Sequence, residues 1–292
     1  MIFDKQSPEG WERTNCPGCQ NNQGFIFIKL RLNPDHHLFK CPECSLVFLS
    51  PRPKPSAMHQ YYPRDYAPHT ELNQRKKGKN TSKEFSLSPP FKNAKMLDFG
   101  CGNGAFLVKM KNLGWDVTGV DFSAQAVQLT KNAGIQAFEG DFNNPFLEQQ
   151  KFDCITLRQV LEHLHNPVET LVAAKKLLAL KGKLSISVPN IQSLPYRWFK
   201  EDWLGIDFPR HLLHFNPESL EKVITKSGFK IIQMQQVKHT GWLRQSAEIA
   251  LKAKGFHFKG WLASKKMMAS LISAWANLTN QCDCLQVLAE EV

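Results

Sequence analysis

From residue 95 onward, short apolar runs alternate with segments in which apolar residues recur at helical spacing. The runs predict seven strands, at 95–99, 115–120, 135–138, 152–157, 183–188, 229–237 and 283–289. The intervening segments predict helices with recognisable ends, such as the capping pairs Asn166-Pro167 and Asn216-Pro217 and the stop at Gly182. Strands that alternate with helices predict an α/β fold with a mostly parallel sheet and helices on both faces.

The segment 240–281 interrupts this alternation before the last predicted strand. Its apolar residues recur at helical spacing, and the stripe comprises Trp261, Met268, Leu271, Ile272, Trp275 and Leu278. We expect this helical insertion to bury the stripe in the core or in a homodimer contact. The alternative is a basic, tryptophan-bearing helix that touches a membrane surface.

The first 50 residues contain two cysteine pairs, Cys16/Cys19 and Cys41/Cys44, each spaced C-x2-C, with 21 residues between the pairs. Four thiolates close a tetrahedral site and leave no position for water, so we expect a structural zinc ion, with an iron–sulfur cluster as the alternative. The alternation at 25–30 and 37–40 predicts a hairpin between the two pairs.

Composition restricts the class of protein only broadly. With 42% hydrophobic and 22% charged residues, the chain is typical of globular proteins. Neither a membrane-spanning run nor a secretory signal pattern is recognisable, so we expect a cytoplasmic protein. The net charge of +11 suits nucleic acid, anionic lipid or a phosphorylated substrate, and part of it lies in the segment 75–83, which we interpret as a solvated linker.

The turn after the first of these strands contains three glycines, Gly100, Gly102 and Gly104. Glycines at such a turn let the backbone approach a nucleotide ligand closely. Asp121 ends the next strand, where a carboxylate can bind both ribose hydroxyls. The glycines also satisfy a dinucleotide pattern, but Asp98 favours S-adenosylmethionine (SAM): its carboxylate would repel a pyrophosphate and attract the α-amino group of SAM.

The runs 97–104 and 160–167, together with Asp121 and Asp141, resemble the class I SAM-dependent methyltransferases. Within this class, the sequence most resembles two subgroups: the ubiquinone-type O-methyltransferases and the sugar methyltransferases of polysaccharide and natural-product pathways. The likeness covers about residues 60–240 and the last strand. It implies a Rossmann-like seven-stranded sheet with an antiparallel final hairpin. We therefore divide the chain into a zinc-ribbon-like four-cysteine knuckle (1–50), a linker and N-terminal cap (51–95) and a methyltransferase domain (96–292).

The same resemblance implies where SAM binds. Asp141 receives the adenine amino group, Gln159 lies near the methionine part, and Tyr66 closes over the cofactor from the N-terminal side. The full set of predicted SAM-binding residues is Asp98, Gly100, Gly102, Gly104, Asp121, Phe122, Asp141, Phe142, Gln159 and Tyr66.

Loops after the fourth and fifth of these strands are expected to face the methyl acceptor, because ligands bind outside the carboxyl ends of the strands. A hydroxyl or carbon-acid acceptor needs a base that is poised near neutral pH, and histidine supplies one most readily. The predicted catalytic residues are His163, His211 and His214, and the predicted substrate contacts are Glu162, Tyr196 and Arg210. The alternative interpretations are that His163 caps a helix and that His214 packs at a helix start.

These residues predict a SAM-dependent methyltransferase that acts on a sugar or nucleotide-sugar, with O- and C-methylation both open. A zinc-knuckle RNA methyltransferase is the second hypothesis, favoured by the charge and the knuckle. Against this hypothesis, the sequence contains no Asn-Pro-Pro-Tyr-type base-binding motif and no paired catalytic cysteines after the fourth predicted strand. A non-catalytic SAM-binding protein is the third, although the presence of Asp98, Asp121 and Asp141 argues against a dead site.

Overall fold

The computed structural model describes residues 9–31, 35–63, 66, 85 and 87–292, and the basic segment 75–83 lies outside them. The strands are β1 (Trp11–Glu12), β2 (Phe25–Lys29), β3 (His37–Lys40), β4 (Val47–Ser50), β5 (Arg52–Pro53), β6 (Lys95–Phe99), β7 (Asp116–Asp121), β8 (Gln136–Glu139), β9 (Phe152–Arg158), β10 (Leu178–Pro189), β11 (Leu213–His214), β12 (Phe229–Val237) and β13 (Cys284–Glu291). The helices are α1 (Ala105–Asn112), α2 (Ala124–Asn132), α3 (Pro167–Leu177), α4 (Leu194–Phe199), α5 (Pro217–Lys226), α6 (Thr240–Lys254), α7 (Phe258–Ser264) and α8 (Lys266–Leu278).

Seven strands form the main sheet in the order β12-β13-β10-β9-β6-β7-β8. The strands from β10 to β8 pair in parallel, whereas β13 runs antiparallel to both β10 and β12. The predicted α/β class, the seven strands and the antiparallel final hairpin are therefore confirmed. The carboxyl ends of β6, β7, β9 and β10 share one edge of the sheet, so the residues that follow these strands can meet there.

The junction of α3 and β10 differs from the prediction of a helix that stops near Gly182. The helix ends at Leu177, and the strand begins at once, because Leu178 already pairs with Phe152 of β9. The register then shifts before Lys183. A Cβ atom on Gly182 would lie 2.9 Å from two backbone carbonyl oxygens, so this glycine permits a close approach inside an irregular strand.

The N-terminal unit is built from two small sheets and packs directly on the α/β domain. The predicted hairpin is present as β2 and β3, and the four-stranded sheet has the order β11-β4-β3-β2. Its strand β11 comes from the α/β domain and pairs with β4 through Leu213 and His214. One continuous apolar core joins the two units, and it includes Leu46 near the cysteines and Val223 on α5.

The insertion between β12 and β13 is helical, as predicted, and consists of α6, α7 and α8. Ile272 packs against the core. Of the two expectations for the stripe, burial in the core is wrong for four members that are exposed, Trp261, Leu271, Trp275 and Leu278, and the homodimer contact stays a prediction. The buried face of α8 instead consists of the small residues Ala269, Ser273 and Ala276. Within the described residues, no helix is long and apolar enough to cross a membrane.

Candidate active site

The glycine turn after β6 adopts a backbone that other residues rarely tolerate. Gly100, Gly102 and Gly104 have φ angles of 75°, 55° and 76°, all in the left-handed region. A Cβ atom on Gly100 would lie 2.4 Å from the Cγ2 atom of Val160. The turn therefore packs tightly against the residue that precedes the 3₁₀ helix Leu161–His163, which connects the predicted cofactor site to the predicted acceptor site.

Asp121, the last residue of β7, holds this turn in place. Its Oδ2 atom accepts a hydrogen bond of 2.9 Å from the backbone amide of Gly102, and its Oδ1 atom accepts one of 2.9 Å from the amide of Ser123. A carboxylate oxygen has a second acceptor position. The buried carboxylate can thus support the glycine turn and still accept hydroxyl groups of a ligand, as the predicted ribose contact requires.

Asp98 lies on β6 next to Thr156 of β9, and both side chains are buried. The Thr156 hydroxyl donates a hydrogen bond of 2.5 Å to the Asp98 carboxyl group. Burial raises the pKa of Asp98 to about 7, although the bond from Thr156 opposes this shift. Burial destabilises the ionised form of this carboxyl group, so a neighbouring cation such as the ammonium group of SAM would stabilise it strongly. Thr156 was not predicted, because its role depends on a strand register that the sequence alone does not reveal.

The predicted adenine side contains stacked aromatic rings. Phe142 is buried and stacks on Phe99 with 4.3 Å between ring centroids, whereas Phe122 is exposed and meets Phe99 edge-on. The Asp141 carboxylate accepts a hydrogen bond from the amide of Asn143 and so caps its own turn. The geometry makes Phe142 a support for the turn and leaves Phe122 as the accessible ring.

Gln159 follows β9 with a φ angle of 57°, an uncommon conformation for this residue type. Its backbone amide donates to the carbonyl of Ser187 on β10, and its side-chain amide donates to the Ser187 hydroxyl at 3.3 Å. The strained residue therefore lies at the carboxyl ends of two neighbouring strands, where the methionine part of SAM is predicted to bind.

The predicted acceptor residues Glu162, His163 and His211 meet in one cluster, with a potential ligand atom of each within 4.8 Å of the others. The rings of His163 and His211 are 4.6 Å apart and nearly perpendicular. Glu162 is fully buried, and among the described residues neither of its carboxylate oxygens has a hydrogen-bond partner. Burial raises the pKa of Glu162 to about 8. These three groups form a set that can bind a hydroxylated ligand or a metal ion.

Burial keeps both histidines of the cluster neutral at physiological pH: it lowers the pKa of His163 to about 3 and lowers that of His211. The Nδ1 atom of His211 lies 2.9 Å from the carbonyl oxygen of Gly205. Because a carbonyl oxygen only accepts, Nδ1 carries the ring proton and donates a hydrogen bond. The Nε2 atom is then the free base, and it lies 3.7 Å from the Asp207 carboxylate, which would stabilise the ring once protonated.

Arg210 and two tyrosines of the N-terminal segment, Tyr62 and Tyr66, lie beside this cluster. Arg210 makes a two-pronged ion pair with Asp207, in which the Nε–Oδ2 distance is 2.9 Å. The ring of Tyr66 lies under the Arg210 guanidinium at 5.3 Å, and Tyr62 brings its hydroxyl to 3.1 Å from Nδ1 of His163. Asp207 was missed as a site residue, although it lies only three positions before Arg210 in the loop that was predicted to face the acceptor.

His214 and Tyr196, both predicted from the same loops, have mainly packing environments. His214 is buried in β11, with its ring 6.3 Å from that of His211, and burial lowers its pKa to about 3. This position matches the alternative of a histidine packed before the Asn216 helix. Tyr196 is buried between Phe27, on which it stacks, and Trp203.

The four N-terminal cysteines form a second cluster, with all four sulfur atoms within 4.8 Å of one another. The two loops that carry them are alike: Gln20 and Ser45 each donate a backbone hydrogen bond to the first cysteine of their own loop, and their φ angles are 69° and 61°. The Sγ–Sγ distances of 3.3 Å and 3.5 Å are close to the roughly 3.8 Å that a tetrahedral zinc ion imposes. The donors present therefore fit zinc.

The glycine turn, its carboxylates and the sheet topology define the class of SAM-dependent methyltransferases. A family model described as "Methyltransferase domain" matches residues 69–234, which is more than half of the chain. The chain belongs to this methyltransferase family, and the predicted resemblance is confirmed.

Curated relatives agree with this assignment. The ubiquinone biosynthesis O-methyltransferase of Glaesserella parasuis is 32% identical over 148 residues, which are 46% of this chain and 60% of that protein. The corresponding protein of Haemophilus ducreyi is 27% identical over 184 residues, 58% of this chain and 72% of its own length. The chain thus spans less than two thirds of the first relative.

One similar solved structure is described as a complex between the Trm112 methyltransferase activator of Haloferax volcanii and a candidate methyltransferase. The TM-score is 0.50 with 13% identity, over 70% of this chain and 85% of that chain. At this identity the likeness concerns the fold alone.

Proposed function

We propose that this chain transfers the methyl group of SAM to a hydroxyl group of a small-molecule acceptor, with His211 as the base and His163 as its alternative. The observation that supports this most is the cluster of the buried Glu162 with the partly buried His163 and His211, which lies beside the glycine turn. Within it, the neutral imidazole of His211 presents Nε2 as a base, and the neighbouring Asp207 carboxylate stabilises the ring once it is protonated.

In the proposed reaction, Nε2 of His211 removes the acceptor proton while the acceptor oxygen attacks the methyl carbon. The bond from that carbon to sulfur breaks, its electron pair stays on sulfur, and S-adenosylhomocysteine leaves. Asp207 stabilises the resulting imidazolium and also orients Arg210. The main contribution of the protein would be alignment of oxygen, carbon and sulfur, with Asp98, Asp121 and the glycine turn as the residues that would hold SAM.

The first candidate acceptor is a sugar or nucleotide-sugar, as the sequence resemblance implies. The buried Glu162 carboxyl group and the partly exposed Arg210 guanidinium group suit an acceptor with several hydroxyls. The names of the curated relatives favour a second candidate, a phenolic precursor of a quinone. The net charge of +11 keeps RNA as a third.

Purified protein and methyl-labelled SAM would be incubated with a panel of nucleotide-sugars, catechol-type phenols and ribosomal RNA. Label in one class selects the acceptor, and SAM binding without transfer to any fraction of the source extract would leave only the non-catalytic alternative. His211→Gln should lower kcat about 10²- to 10⁴-fold with SAM affinity unchanged. The control His59→Gln, at an exposed histidine outside the cluster, should retain full activity.

We also propose that Cys16, Cys19, Cys41 and Cys44 bind one structural zinc ion, which requires a reducing compartment such as the cytoplasm to keep the thiols free. The closed four-sulfur set leaves no position for a reacting ligand. Elemental analysis should find one zinc per chain, and Cys41→Ser should lower this value. Iron together with sulfide, or no metal in protein purified without chelators, would contradict the proposal.

A further inference from the structure

The insertion carries its large apolar side chains on the outside. On α8 these residues are spaced along one face, and they form what we call the outer stripe: Met267, Leu271, Trp275 and Leu278, exposed by 73%, 58%, 61% and 78%. The opposite face of the helix is buried through Ala269, Ser273 and Ala276. A helix on the surface of a protein in water normally buries its large apolar residues and exposes small or polar ones. Here the two sides are exchanged.

The same arrangement continues onto α7, which packs against α8. Phe258 and Trp261 are exposed, and their rings approach each other to 6.3 Å. The interior of the insertion again contains small residues, among them Ala247, Ala250 and Ala263, which are almost fully buried. An exposed apolar surface of this kind marks an interaction site.

The charge of the insertion indicates what covers this surface. From residue 249 to residue 282 the sequence has five lysines and no aspartate or glutamate. Lys265 lies over the ring of Trp261, with 5.7 Å between Nζ and the ring centroid, and Lys266 begins α8. Both lysines are exposed. Lys254 on α6 is paired with Glu201 and Asp202, so the cations placed beside the outer stripe are Lys265 and Lys266.

We propose that α7 and α8 dock flat on the surface of an anionic phospholipid bilayer. The outer stripe enters the boundary between headgroups and acyl chains, and the lysines contact lipid phosphates. The homodimer predicted from the sequence is the competing occupant. It is less suitable, because a twofold contact through α7 and α8 would bring Lys265 and Lys266 of both copies together, and neither helix contains an acidic residue.

The insertion contacts the loop that carries part of the proposed acceptor site. The amide of Leu204 donates a hydrogen bond of 2.9 Å to the hydroxyl of Ser246 on α6. The adjacent residue, Gly205, accepts the hydrogen bond from His211. The insertion thus supports the loop that positions the proposed base. Docking itself does not rest on the proposed reaction, and its test needs no methyl transfer.

The test is co-sedimentation of the full chain with sucrose-loaded vesicles of phosphatidylcholine alone or mixed with phosphatidylglycerol. We expect binding to the mixed vesicles that weakens with salt, and little binding to phosphatidylcholine. Trp275→Ser with Leu278→Ser should weaken binding about ten-fold or more. Lys265→Glu with Lys266→Glu should weaken it by about five-fold per lysine or more.

Two control variants lie outside the insertion: Leu180→Ser, at a leucine that is 95% exposed, and Lys131→Glu, at an exposed lysine. Both should bind like the unmodified chain, and melting temperatures should show that all variants fold. Absent binding, or equal loss in the controls, would overturn the proposal. So would a dimer, detected by sedimentation velocity, that Trp275→Ser with Leu278→Ser dissociates while vesicle binding persists.

Discussion

At the scale of single residues, the buried carboxyl group of Asp98 should make SAM binding depend on pH. Burial raises its pKa to about 7, so below this value the cofactor-free protein is mostly protonated there and must lose a proton to bind the ammonium group. Affinity measured by calorimetry should therefore rise from about pH 5.5 to about pH 7.5.

The variant Asp98→Asn should bind SAM roughly ten-fold more weakly or worse and lose this pH dependence. The same raised pKa has the opposite effect on the pH dependence of folding stability. Because the folded pKa is raised above the unfolded value, the free energy of unfolding of the cofactor-free protein should decrease as pH rises from about 4 to about 7. An unchanged pH profile in Asp98→Asn would show that another group titrates.

Gly100 and Gly134 provide a matched comparison of backbone strain and crowding. Their φ angles are 75° and 74°, but a Cβ atom would meet Val160 at 2.4 Å in the first case and nothing within 4 Å in the second. Gly134→Ala should lower the free energy of unfolding by about 1 kcal/mol. Gly100→Ala should cost a further 1–3 kcal/mol, roughly, and also abolish SAM binding. Urea titration and calorimetry measure the two effects, and equal costs would contradict this account.

At the scale of elements, the two predicted Asn-Pro helix starts differ. Asn216 accepts a hydrogen bond of 2.8 Å from the Ser219 amide in a reciprocal capping box. The side chain of Asn166 makes no capping bond to α3. Asn216→Ala should therefore lower the free energy of unfolding by about 1–2 kcal/mol, whereas Asn166→Ala should change it by less than roughly 0.5 kcal/mol. Chemical denaturation of both variants provides the comparison.

The elements that could be predicted are those whose signal is local. The spacing of apolar residues and the caps identified all seven strands of the main sheet, and the range 229–237 agrees at both ends with β12. The strand β11 has only two residues and exists because Leu213 pairs with Phe48 of a distant unit, a contact that no local pattern encodes. The insertion 240–281 was correctly predicted as helical, but the periodicity of its apolar residues does not tell which face meets the core.

At the scale of the whole molecule, the glycine turn was predictable because its residues are contiguous and chemically specific. Glu162, His163 and His211 were predictable only as separate candidates, because the two loops that carry them are far apart in the sequence. The contact between His163 and the Arg210 carbonyl, for example, spans 47 residues. Thr156 was missed for the same reason, because its contact with Asp98 depends on the pairing of β6 with β9, whereas the Asp207–Arg210 pair is local and was overlooked. Burial, which determines every pKa shift in the cluster, is likewise a property of the folded chain.

The continuous core predicts that the cysteine knuckle and the α/β domain unfold together. A Cβ atom on Gly18, between Cys16 and Cys19, would lie 3.2 Å from Val223 of α5, and Lys222 donates a hydrogen bond of 2.8 Å to the Glu43 carbonyl. Removal of a bound zinc ion should therefore destabilise the entire chain, because metal-binding free energy is also folding free energy.

Calorimetry after treatment with a chelator should show one transition, shifted to lower temperature by several degrees or more, since about 1 kcal/mol moves the midpoint by roughly 2–4 °C in a chain of this size. Zinc should restore the midpoint and magnesium should not. SAM affinity should decrease at temperatures where the metal-free chain begins to unfold. An unchanged main transition beside the loss of a small separate one would mean that the knuckle folds independently, although its core is shared with Val223 and Leu220 of α5.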